Sequence, residues 1–417
     1  MSELIISGGK RLSGSVTVNG AKNAVLPLLA ATVLIDGKTV LHNCPYLSDV
    51  KACLDILTEL GCKCRYSEHT IEVDSTVINN CKIPEHLMRE MRSSIVFLGA
   101  MLSRCKAAVL SMPGGCEIGP RPIDLHLKAL REMGVSIDEE FGTLNCSCEN
   151  GISAKDITLL IPSVGATENI ILAAVLSDGL TVIRNAAREP EIENLCAFLK
   201  KCGAEISGEG TSIIKIEGVK KLHPCEFTVM PDRIEASTFI ACCAVTGGSI
   251  SIKNVETEHI KTVTDCFCSM GCVFKSFNSE LVVYAPKRLT GFDTISTMAY
   301  PGFPTDSGSI IISCAAVANG TSVLIENIFE NRFKFADELK RLGANIKTVG
   351  KAAIVSGVDH LTGAGVEATD LRGGAALVVA GLTAKGITTI RNVHLIDRGY
   401  ERIENALSLL GADIKRV

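Results

Sequence analysis

The sequence predicts an α/β protein. It reads as a two-domain, inside-out α/β barrel of six β-α-β-α-β-β repeats, three per domain, with the central helices buried. Three observations predict it. A strand–turn–helix–Gly segment recurs six times along the 417 residues. Each repeat carries a second helix that is apolar almost all round. Short strand-like segments flank both helices.

The recurring segments begin at Gly37-Lys38-Thr39-Val40, Lys106-Ala107-Ala108-Val109, Gly179-Leu180-Thr181-Val182, Gly247-Gly248-Ser249-Ile250, Gly320-Thr321-Ser322-Val323 and Gly386-Ile387-Thr388-Thr389. They end at Gly61, Gly134, Gly203, Gly271, Gly343 and Gly411, spaced 68 to 73 residues apart. That period is too long for the common solenoids and suits a closed, pseudo-symmetric architecture. The helix inside each segment is one-sided; Val50, Cys53, Leu54, Leu57 and Leu60 follow helical spacing in the first. The apolar helices are expected over 22–36, 91–105, 167–178, 233–246, 306–319 and 371–385. They are rich in Ala, Gly, Ser and Cys, as buried, closely packed helices require. Strands at 15–18, 157–161 and 227–230 illustrate the one that precedes each buried helix, and 205–207 with 213–217 the two that close a repeat.

The sixth repeat ends in a single strand, 412–417, while residues 3–7 precede the first repeat and belong to none. The N-terminal strand is therefore expected to complete the last repeat. One domain would then cover 20–229, and the other 1–19 together with 230–417.

Composition narrows the function. Apolar residues make up 47%, Trp is absent and aromatics are 4%, so the core is aliphatic. A net charge of −4 offers no global field for nucleic acid. No run of 18 apolar residues exists, and residues 1–11 hold no signal-peptide core, so a cytoplasmic protein without membrane partner is expected. Nothing demands more than a monomer. Eighteen cysteines argue for a reducing compartment rather than a disulfide framework. The C-x-C pairs Cys62/Cys64, Cys146/Cys148 and Cys266/Cys268 stand without paired C-x-x-C, H-x-x-x-H or H-E-x-x-H spacing, so no metal is expected. No P-loop occurs, and Gly208-Glu209-Gly210 is a turn between strands, so neither ATP nor NAD is expected and no cofactor is implied.

The second repeat spans 28 residues from first to last marker, against 23 to 25 in the others. The excess falls at Met112-Pro113-Gly114-Gly115-Cys116-Glu117-Ile118-Gly119-Pro120-Arg121-Pro122, a loop with strong backbone demands. An insertion into one copy of a repeat adds function without disturbing the scaffold. Arg121 lies five positions from Cys116, and a nearby cation favours thiolate. Cys116 therefore reads as a chemical group, whereas the other seventeen cysteines read as small buried hydrophobes.

Charge gathers where the buried helices begin: Lys22-Asn23, Arg92-Ser93, Thr167, Asp232-Arg233, Asp306 and Asp370-Leu371-Arg372. Loops add Arg121, Arg188-Glu189, Glu330-Asn331-Arg332 and Asp397-Arg398. Helix N-termini present free N–H groups to anions. Asp232, Asp306 and Asp370 suit N-caps on structural grounds alone. Lys22, Arg92 and Arg372 run against the helix dipole, which implies an external anion or else salt bridges to neighbouring acids. Lys22, Arg92, Arg121, Arg233, Arg332, Arg372 and Arg398 together would hold a polyanionic ligand in an interdomain cleft that closes on it.

With these residues in view, the chain resembles the enolpyruvyl transferase family over its whole length, in the branch that acts on UDP-N-acetylglucosamine. The resemblance rests on Asn19-Gly20-Ala21-Lys22-Asn23, on 113–119 with Arg121-Pro122-Ile123-Asp124-Leu125, and on Ser163-Val164-Gly165-Ala166-Thr167. It continues through Ala187-Arg188-Glu189-Pro190-Glu191, Phe303-Pro304-Thr305-Asp306, Phe329-Glu330-Asn331-Arg332-Phe333, Asp370-Leu371-Arg372 and 396–402. It implies transfer of the enolpyruvyl group of phosphoenolpyruvate to the 3′-hydroxyl of UDP-N-acetylglucosamine with release of phosphate, the first committed step of peptidoglycan synthesis. It makes Cys116 the general acid, the site of a covalent adduct and the target of fosfomycin, and Asp306 the base for the sugar hydroxyl. Lys22, Arg121 and Arg398 would hold the phosphate side, and Arg92, Arg332 and Arg372 the phosphate, the carboxylate or the closed loop. Arg121, Pro122, Ile123, Asp124 and Leu125, with Ser163, Val164 and Gly165, would cradle the uridine and diphosphate. Asn23, Ile328 and Asp370 complete the binding set.

Two positions depart from the family pattern: Ile161-Pro162 precedes Ser163 where a lysine is frequent, and Ser48 precedes Asp49 where a basic residue is common. Three other readings remain. The sister enzyme acting on shikimate 3-phosphate lacks the Cys loop. An RNA 3′-phosphate cyclase would need a nucleophilic histidine. A silent sugar-nucleotide-binding paralogue would have no need of Cys116, Asp306 and Arg398.

Overall fold

In a computed structural model, residues 2–112 and 123–417 are described, the side chain of Arg92 excepted. Each repeat contributes strands to a small sheet, with a buried helix and an outer helix. The six end glycines all take positive φ, from 90° at Gly411 to 105° at Gly61, a backbone that Cβ-bearing residues adopt at a cost. They stop the outer helices and turn the chain into the closing hairpin.

The third repeat shows the strand order. Asp156–Thr158 runs parallel to Leu180–Arg184. Ile213–Glu217 pairs antiparallel with Leu180–Arg184, and Glu205–Ser207 lies outermost. Four other sheets share this four-stranded order. In the second repeat the first strand shrinks to a single bridge, Lys82 to Val109, and the sheet has three strands, Ala107–Ser111, Thr143–Ser147 and Ser136–Glu140. The strands thus form six separate sheets, and among the described residues no sheet closes into a barrel.

The described residues fall into two compact units, 20–112 with 123–230, and 2–19 with 231–417. Each has its own aliphatic core and three of the sheets. First strands are exchanged between repeats. Ser13–Thr17, which precedes the first buried helix, runs parallel to Ser249–Lys253 of the fourth repeat. Glu226–Thr228, which precedes the fourth buried helix, runs parallel to Lys38–His42 of the first. Leu4–Ser7 pairs antiparallel with both Ile387–Arg391 and Asp413–Arg416, filling the fourth-strand position of the last sheet.

The buried helices are Lys22–Thr32, Phe97–Cys105, Val164–Ala174, Arg233–Thr246, Thr305–Ala315 and Leu371–Thr383. A 3₁₀ turn, Arg92–Val96, leads into the second. Small residues let these helices approach closely. Ser309 and Ser313 Oγ donate to the carbonyls of Arg372 and Ala376 on the neighbouring helix, at 2.9 and 2.8 Å. The outer helices are half-buried: Ser48–Glu59 buries Val50, Cys53, Ile56 and Leu57. Each such aliphatic side chain contributes about 1.5–3 kcal/mol of burial. The seventeen described cysteines are all free and mostly buried.

Candidate functional site

In the unit formed by 2–19 and 231–417, the starts of two buried helices meet over one carboxylate. Asp306 lies in the first turn of Thr305–Ala315 and Arg372 in the first turn of Leu371–Thr383. Arg372 Nε donates to Asp306 Oδ1 at 2.9 Å, and Arg332 Nη2 donates to the same oxygen at 3.0 Å. Both arginines are buried, whereas the Asp306 side chain keeps 28% of its surface. Burial by itself pushes the Asp306 carboxyl up. The charges of Arg372, Arg332 and Arg233 overturn that and hold it well below the usual carboxylate range. Two guanidiniums share one carboxylate here, and the buried Nε of Arg332 has no hydrogen-bond partner among the described residues.

The surroundings fix this group. Arg332 also donates to the Thr305 carbonyl at 3.3 Å and stacks over Phe329, 5.5 Å from its centroid. Glu326, fully buried, accepts from Thr297 Oγ1, Thr305 Oγ1, Ile328 N and Phe329 N at 2.7 to 3.1 Å. It thereby ties the loop before Arg332 to the helix that carries Asp306. Arg372 Nη1 reaches the buried Tyr400 hydroxyl at 3.5 Å, which also meets Thr238 Oγ1 at 2.8 Å. Asp370 and Asp232 cap their helices, each accepting two backbone N–H bonds. Asp306 does not. Its helix begins at Thr305 without a side-chain cap, and the carboxylate turns to the two arginines instead.

In the unit formed by 20–112 and 123–230, Lys22 opens the first buried helix and is itself buried. Its Nζ lies 2.5 Å from Asp49 Oδ2, in the first turn of Ser48–Glu59. Lys22 and Arg372 both run against a helix dipole, and each has a carboxylate within the protein. The inference from dipole to external anion therefore does not stand by itself. Ser163 Oγ caps Val164–Ala174, accepting from Ala166 N at 3.4 Å. Asp124 opens the helix Asp124–Glu132, preceded by the buried Ile123. Asn169 ties these segments together. Its Oδ1 accepts from Gly99 N at 2.7 Å, and its Nδ2 donates to the Ile95 carbonyl at 2.9 Å and to His126 Nδ1 at 2.8 Å. His126 is therefore a neutral acceptor there; burial pushes its pKa down to about 4, against a smaller opposing effect of Asp124.

Asn23, Leu125, Val164 and Gly165 are half-buried next to these groups, Ile328 is exposed, and Arg398 lies in the turn after Asp397. Cys116, Arg121 and Pro122 lie outside the described residues, as does the side chain of Arg92. Sequence reasoning missed Asp49, His126, Asn169 and Glu326 as parts of the site. A polar residue inside an apolar helix, as at Asn169, is the one signal that marks any of them.

Relatives share this whole chain. It is 50% identical over 417 residues to UDP-N-acetylglucosamine 1-carboxyvinyltransferase 2 of Caldanaerobacter subterraneus subsp. tengcongensis, with all of both chains covered. It is 48% identical to UDP-N-acetylglucosamine 1-carboxyvinyltransferase 1 of Symbiobacterium thermophilum, covering 99% of this chain and 95% of that one. The family described as EPSP synthase (3-phosphoshikimate 1-carboxyvinyltransferase) matches residues 6–407. The chain belongs to the enolpyruvyl transferase family. Within that family, the solved enolpyruvyl transferase NikO from Streptomyces tendae superposes with a TM-score of 0.91 at 26% identity, over 100% of this chain and 99% of its own. EPSP synthase from Acinetobacter baumannii gives 0.77 at 20% identity, again over 100% and 99%, and shares the fold. No helix among the described residues is long and apolar enough to cross a membrane.

Proposed function

We propose that this chain transfers the enolpyruvyl group of phosphoenolpyruvate to the 3′-hydroxyl of UDP-N-acetylglucosamine and releases phosphate. The observation that carries the reading is full-length identity of 50% to a transferase of that name. Shared guanidiniums at Asp306 support it chemically. Phosphoenolpyruvate carries a carboxylate and a phosphate, and arginine's fork matches both. Arg332, with its unpartnered Nε, and Arg372 are the cations for that ligand in this unit.

The reaction then runs as addition and elimination. Cys116 gives its proton to the methylene carbon as the sugar oxygen bonds to the adjacent carbon. Asp306 takes the hydroxyl proton. Loss of phosphate with a proton from the new methyl group restores the double bond. Asp306 is a poor base while both arginines rest on Oδ1. A bound substrate anion that draws a guanidinium away raises its proton affinity, and Oδ2 carries neither of those two bonds. Lys22, Arg121 and Arg398 hold the phosphate, with Arg92 in support. Ser163, Val164, Gly165 and residues 121–125 receive the nucleotide; Asn23, Ile328 and Asp370 line the sugar and donor.

Phosphate release from phosphoenolpyruvate tests this, with and without UDP-N-acetylglucosamine, for wild type and Cys116→Ser. Release that requires the sugar nucleotide and collapses in the variant supports both reaction and acid. Release driven equally by shikimate 3-phosphate, or none at all, overturns the reading.

A further inference from the structure

We infer that Arg416 is a positioning residue for Arg398: its one guanidinium binds the two carboxylates, Asp397 and Glu404, that bracket the turn carrying Arg398. The inference rests on the function proposed above for what Arg398 does, and on geometry alone for how the turn is held.

Arg398 sits between the 3₁₀ turn Val393–Leu395 and the helix Ile403–Leu409. Backbone bonds close the turn only locally, from Asp397 N to Val393 O at 3.0 Å and from Gly399 N to Ile396 O at 3.0 Å. Side chains anchor it at both ends. Arg416 Nη1 and Nη2 donate to the two oxygens of Asp397 at 2.8 and 2.7 Å. Arg416 Nε and Nη2 donate to the two oxygens of Glu404 at 2.7 and 2.9 Å. A single fork thus makes four charge-assisted bonds, two on each side of the turn. Arg416 itself stands on Asp413–Arg416, which is paired to Leu4–Ser7 along its length. The anchor is a sheet strand, not another loop.

Within the turn, Tyr400 is buried, and its hydroxyl meets Thr238 Oγ1 and Arg372 Nη1 on two of the buried helices. Arg398 is therefore carried by a segment fixed on one side to the sheet and on the other to the helix that holds Arg372. Displacing a substrate-binding cation by about 1 Å is enough to cost on the order of 100-fold in rate. Lysine keeps the charge of Arg416 but cannot span two carboxylates with paired donors. Arg391 provides the contrast. It stands on Ile387–Arg391, the strand on the other side of Leu4–Ser7, and its side chain reaches Glu3 at 3.1 Å and Glu367 at 3.9 Å.

The test compares wild type, Arg416→Ala, Arg416→Lys and Arg391→Ala. Two quantities are read: amide hydrogen exchange of residues 396–404, and kcat and KM for phosphoenolpyruvate in the UDP-N-acetylglucosamine-dependent assay. Exchange in the turn should quicken in both Arg416 variants and not in Arg391→Ala. The kcat/KM for phosphoenolpyruvate should fall about 10- to 100-fold in both, with KM for UDP-N-acetylglucosamine little changed. Unaltered exchange overturns the anchoring. Faster exchange with unaltered kinetics, or full rescue by lysine, overturns the positioning role and leaves Arg416 a stabilising contact. An inactive wild type overturns the proposed function instead, and the exchange arm still decides whether Arg416 holds the turn.

Discussion

The two units answer the same problem differently. Each starts a buried helix with a cation, against the helix dipole. In the unit of 20–230, Lys22 meets Asp49 as a pair at 2.5 Å. The buried polar group of that unit, Asn169 with His126, is neutral and bonded on Asn169's carbonyl and amide sides. In the unit of 231–417, Arg372 and Arg332 converge on one Asp306 oxygen, and one buried donor is left over. The first arrangement balances charge within the protein. The second leaves a buried guanidinium donor without a hydrogen-bond partner among the described residues, which is costly unless a ligand supplies the acceptor. A cation at a helix start is thus a weaker sign of a ligand than a buried cationic donor left without an acceptor.

Asp306→Asn breaks that comparison hardest. The amide retains size but neither charge nor basicity. The turnover of UDP-N-acetylglucosamine-dependent phosphate release should fall about 10²- to 10⁴-fold, as for loss of a general base. Two buried guanidiniums would then face each other without a carboxylate, and unfolding in urea should show a loss of about 3 kcal/mol. Turnover within tenfold of wild type would remove Asp306 from the role of base.

Asp49→Asn sharpens the comparison from the other side. It leaves the buried Lys22 ammonium without its carboxylate, for a loss of about 3 kcal/mol in unfolding free energy. If Lys22 also serves the substrate phosphate, phosphoenolpyruvate supplies the missing anion. Its addition should then raise the melting temperature of Asp49→Asn more than that of wild type. An equal rise in both proteins would confine Lys22 to a structural pair.

What could be read in the sequence follows the same division. The six end glycines mark turns because φ near 90–105° is a local demand that one residue type meets without strain. The buried helices were visible because apolarity all round a helix is a local pattern; Arg233–Thr246 matches the expected bounds residue for residue. The second buried helix opens as a 3₁₀ turn, Arg92–Val96, and becomes α-helical at Phe97, a distinction that apolarity all round does not encode. Asp306 suits an N-cap by position, because Asp at a helix start usually is one, and only the family resemblance marks it as a base. Its actual partners, 26 and 66 residues away along the chain, depend on which helices meet. The same holds for Asp49 opposite Lys22, for Asn169 opposite Gly99, and for the fork of Arg416. Pair identity is a tertiary property, and a helix-start pattern reveals one partner at most.

The smallest effect separates the units by pH. His126 is held neutral, with a pKa pushed down to about 4 by burial, and Asn169 Nδ2 donates to its ring. Its ordinary value is about 6.5. Between those values the unfolded chain binds a proton that the folded chain refuses. Stability is therefore fully present above about pH 6.5 and is lost as pH falls toward 4. At pH 5 this one group should cost about 2 kcal/mol. Asp306 contributes almost nothing between pH 7 and pH 5, because the unfolded aspartate is still ionised there and its arginines keep the folded one so. Between pH 7 and pH 5 the urea-unfolding free energy of wild type should thus change less favourably, by about that amount, than that of His126→Gln, whose side-chain carbonyl still accepts from Asn169. The buried carboxyls of Glu235 and Glu168, pushed up by burial, contribute in the opposite direction and equally in both proteins. An Asp306→Asn protein should show the wild-type pH response. If His126→Gln loses as much stability between pH 7 and pH 5 as wild type does, acid sensitivity does not arise at His126, and the neutral polar group of the 20–230 unit is not the part of the molecule that pH reaches first.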